Sequence, residues 1–80
     1  MRNYINIAYD LILIDNPGIK QSLLAKLDAA ENSIKIGEKQ AAKNQLIAFI
    51  TEVNAQRDTH IKGQVVDILI KGAEYIINNL

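Results

Sequence analysis

The amino-acid sequence predicts an all-α protein, a small up-down bundle of three to four helices in one module spanning residues 1–80. Three observations predict it. Apolar residues recur at intervals of three and four over most of the chain. Chain-breaking signals fall at only three places, "DNPG" at 15–18, Gly37, and "RDTHIKG" at 57–63. The chain has 80 residues, too few for two separate cores, and 49% of them are hydrophobic, enough for one.

The first segment, about Asn3 to Ile14, places Tyr4, Ile5, Ala8, Leu11 and Ile12 at helical spacing behind a candidate N-cap, Asn3. Ile7, Leu13 and Ile14 lie off that stripe, so this helix wants cover from more than one neighbour. "LILI" at 11–14 also reads as a short strand, but no other stretch offers a strand partner.

The second segment opens near Pro17 or Gly18, because the proline ring presets φ for a first helical turn and Asn16 is suited to cap it. Ile19, Leu23, Leu24, Leu27, Ala30 and Ile34 make its apolar face, while Lys20, Lys26, Asp28, Glu31 and Lys35 fill the other. Gly37 stands where a helix end needs φ above zero. The third segment, about Glu38 to Gln56, stacks Ala42, Leu46, Phe49, Ile50 and Val53. The fourth, about Lys62 to Asn79, carries Val65, Val66, Leu69, Ile70, Ala73, Ile76, Ile77 and Leu80, an arc wide enough to touch two other helices. Gly72 inside it reads as a helix-crossing point. Short connections make successive helices antiparallel.

Composition removes several function classes. Nine basic residues balance nine acidic ones, so the field that draws nucleic acid or an anionic membrane is missing. Cysteine is absent, which excludes disulfides and thiolate metal sites. No run approaches the roughly 18 apolar residues of a membrane span. The opening "MRNYINIAYDLILID" does not read as a signal peptide, because Asn6 and Asp10 interrupt any apolar core region.

Each candidate site has a functional and a plain reading. His60 with Asp58 nearby suggests metal ligation or proton transfer, yet a stable metal site needs three or four convergent ligands, and the plain reading is a solvent-exposed loop histidine. Tyr4, Tyr9 and Tyr75 suggest a sugar-stacking platform; Tyr4 and Tyr75 read as packed rings with wet hydroxyls, and Tyr9 is the exposed candidate. Asp10, Asp15, Asp67 and Glu74 show no pairing across a cleft of the kind a glycosidase needs. Asn44, Gln45, Asn54 and Gln56 carry amides that can bind a polar ligand through paired donors and acceptors, or face water and rim the core, with Asn44 and Gln45 next to the apolar stripe and placed to bond to a neighbouring helix end. With one histidine, no Gly-rich phosphate loop and no nucleophile elbow, the sequence assigns no catalytic residue, no cofactor and no metal.

The stretch "SLLAKLDAAENSIKIGEKQAAKNQLIAFITEVNAQ", residues 22–56, resembles the FIMAH domain, a small helical module appended to secreted bacterial and archaeal hydrolases, peptidases and adhesins. The likeness rests on Leu-Leu-x-Lys-Leu at 23–27, the Gly37 turn and "AAKNQLIAFITEVNAQ", and it extends to "PG" at 17–18 and "LIKGAEYII" at 69–77. It departs in the last connection. Where the family usually shows glycine, lysines and a Ser or Thr cap, this chain has Asp58, Thr59, His60, Ile61 and Lys62, with Asp58 or Thr59 left to cap the fourth helix. The family has no well-defined catalytic residues, so none is carried over. The resemblance implies a non-catalytic accessory role, extracellular or at the cell surface, with a protein or cell-surface glycan as partner. The alternative is a structural spacer or homodimer formed by excess apolar surface on the first helix.

Overall fold

In a computed structural model of the chain, residues 5–7 and 14–80 are described, and three helices are complete: α1 (Pro17–Lys35), α2 (Lys39–Ala55) and α3 (Gly63–Asn78). Residues 5–7 are helical as well, which brings the helical segments to four, and the described residues form no strand. Most of the predicted first helix lies outside the described residues, including Asn3, Tyr4, Ala8, Tyr9, Asp10, Leu11, Ile12 and Leu13.

The start of α1 is where the sequence places it. Asn16 is extended, and its Oδ1 accepts a hydrogen bond of 3.1 Å from the Ile19 N–H, satisfying one of the donors a helix start leaves open. The end of α1 is a paired turn. The Gly37 N–H reaches the Ile34 carbonyl at 3.1 Å and the Glu38 N–H the Ser33 carbonyl at 2.8 Å, with Gly37 at φ 80°. That geometry closes the last carbonyls and needs a residue free of a Cβ penalty. α2 begins immediately, so it returns antiparallel along α1, and the seven-residue connection after Ala55 returns α3 along α2.

The core forms where the apolar stripes meet. Leu23, Leu27 and Ala30 of α1, Ala42, Leu46, Phe49 and Val53 of α2, and Val65, Val66, Leu69 and Ala73 of α3 are buried, joined by Ile5, Ile14 and Ile61 from outside the helices named. Ile19, Leu24, Ile50, Ile70, Ile76, Ile77 and Leu80 pack partly buried against them. α2 packs on both α1 and α3 through its buried stripe. The molecule measures 35 × 18 × 17 Å, the shape of helices aligned along one axis.

Three expectations are corrected. Ile14 does not end a helix: it makes an isolated antiparallel bridge to Ile61, supported by the Asp15 N–H donating to the His60 carbonyl at 2.9 Å. The bridge partner of Ile14 is a loop residue 47 positions further on, invisible to local periodicity. Neither Asp58 nor Thr59 caps α3; Lys62 holds the N-cap position and makes no side-chain cap bond. Asp58 instead takes φ 61°, the left-handed conformation. Its Oδ1 lies 3.1 Å from where a Cβ on Gly63 would stand, so a side chain there requires the exposed Asp58 carboxylate to move by a few tenths of an ångström. Third, Tyr75 is 71% exposed rather than packed, because it stands about 200° round the helix from buried Ala73.

Gly37 has open space around it and a positive φ, so replacement there tests backbone strain alone. Gly37→Ala is expected to lower stability by about 1 kcal/mol in urea unfolding, since the strain of a left-handed L-residue outweighs the entropy removed from the unfolded chain. An unchanged or raised midpoint contradicts this account of the turn.

Candidate functional site

Two polar clusters join α1 to α2. On one, the Ser22 hydroxyl donates to Glu52 Oε1 at 2.9 Å, and Lys26 Nζ donates to Ser22 Oγ at 3.0 Å and to Glu52 Oε1 at 3.1 Å. A serine and lysine in contact raise the question of a nucleophile with its base. The lysine of such a pair must accept the serine proton. Here Lys26 donates to the serine and is ion-paired with Glu52, while the serine proton points at the same carboxylate. The cluster ties two helices together and activates nothing. Ser22 and Lys26 were visible as neighbours one turn apart; their partner on α2 was not.

The second cluster decides the fate of one predicted residue. Ser33 is the buried polar residue among the described residues, and its hydroxyl donates to Gln45 Oε1 at 2.9 Å. Gln45 therefore bonds to the end of the neighbouring helix. Asn44 is exposed and accepts from Gln40 Nε2 at 3.2 Å within α2. Asn54 is exposed, and Gln56 is half-buried at the C-cap of α2, where its backbone carbonyl accepts from the N–H groups of Thr59, His60 and Ile61. The four amides thus fall at different levels and faces of α2. Tyr9 lies outside the described residues.

His60 finds a partner other than Asp58. Its Nδ1 lies 2.8 Å from Asp15 Oδ1, both side chains being substantially exposed, and the pair fastens the loop to the chain entering α1. Asp67 is held by Arg57 at 2.7 Å, also at the surface. Among the described residues no group of three or more His, Asp or Glu side chains is arranged to hold a metal, and no buried side-chain nitrogen or oxygen lacks a hydrogen-bond partner.

What the bundle does present is an apolar groove of about 420 Å³, lined by Leu27, Ala30, Glu31, Ile34 and Lys35 of α1, Leu46 of α2 and Ile76 of α3. Ile34 is 42% exposed and Ile36, at the α1 C-cap, 69%. Ile34 lies on the face that periodicity assigns to the core, near the end of α1, where it lines the groove together with Ile76 of α3. Glu31 and Lys35 pair across the rim at 3.5 Å.

The sequence model of the FIMAH domain matches residues 12–78, most of the chain. The chain belongs to the FIMAH family. The match takes in the capped α1 start, the Gly37 turn, both interhelical clusters and the divergent connection at 57–62. FIMAH domains are small helical accessory modules. No curated protein and no solved structure matches this FIMAH domain at a significant level.

The unequal placement of the amides gives a direct comparison. Gln45→Ala is expected to cost about 1–2 kcal/mol, because it strands the buried Ser33 hydroxyl, whereas Asn54→Ala stays within about 0.5 kcal/mol. Urea unfolding of both variants, with Ser33→Ala completing a double-mutant cycle, checks it. Equal losses for the two single variants contradict the assignment.

Proposed function

We propose that this chain is a non-catalytic accessory module that mediates attachment or protein association of a secreted or surface protein. The observation that supports this best is how its polar side chains are used. Ser22, Lys26, Glu52, Ser33 and Gln45 spend their hydrogen bonds holding helices to one another, and the groove they leave open is apolar. Chemistry needs titratable groups converging on a cleft; recognition of a protein needs an apolar patch with a polar rim. The groove with its Glu31–Lys35 edge is of the second kind.

Family membership supports the extracellular or surface placement, as FIMAH modules accompany proteins of that kind. No helix among the described residues is long and apolar enough to cross a membrane. A glycan partner is the second form of the same reading, carried by Tyr9 and by the exposed Tyr75 ring, whose amphipathic face suits a sugar.

Deleting this module from the full protein that carries it is expected to leave that protein's chemical activity unchanged while its retention on the cell surface or on its macromolecular substrate falls. Retention equal to that of the intact protein, or loss of catalytic rate on soluble small substrate, overturns the reading. A glycan array separates the two forms: binding abolished by Tyr9→Ala or Tyr75→Ala selects the sugar, and blank arrays for the unmodified chain select a protein.

A further inference from the structure

We draw no further inference here: the strongest candidate, the apolar groove between the C-terminal halves of α1 and α3, has rim charges Glu31 and Lys35 already paired with each other, and nothing in the structure shows what covers it.

Discussion

Burial of one face of α2 is the constraint on which the structure depends. Ala42, Leu46, Phe49 and Val53 run along that face and all are buried, because α1 covers one side of it and α3 the other. A chain of this length removes only about 60% of its unfolded surface from water, so it has no reserve of apolar contact to lose. The two connections between the complete helices are accordingly short and are closed by backbone pairing, the Gly37 turn on one side and the Gln56 carbonyl gathering three N–H groups on the other, where Ile61 also enters the core.

Polar contacts then define how the helices sit along one another. Apolar stripes alone permit sliding, since leucine and isoleucine are tolerant of register. Ser22 and Lys26 on Glu52, and Ser33 on Gln45, pin α1 to α2 at two levels, and the Ser33 contact lies inside the core where an unpaired hydroxyl is costly. The bridge of Ile14 to Ile61 and the Asp15–His60 pair serve the other end, closing the chain entering α1 against the loop before α3. With these polar groups committed in this way, the groove at the C-terminal ends of α1 and α3 is apolar.

The sequence by itself determined the local terms. Asn16, Pro17 and Gly37 bounded α1 correctly because capping and positive φ are properties of a few adjacent residues, and the stripes of α2 and α3 were legible because helical period is local too. The family likeness was legible for the same reason, being carried by contiguous stretches. Only the tertiary structure decided the rest. It chose Asp15 for His60, Ile61 for Ile14, Ser33 for Gln45 and Glu52 for Lys26, and it left Tyr75 and Ile34 outside the core. Those outcomes depend on which helix ends where beside which other, over separations of 12 to 47 residues, and no period or cap within one segment encodes the length of its neighbour.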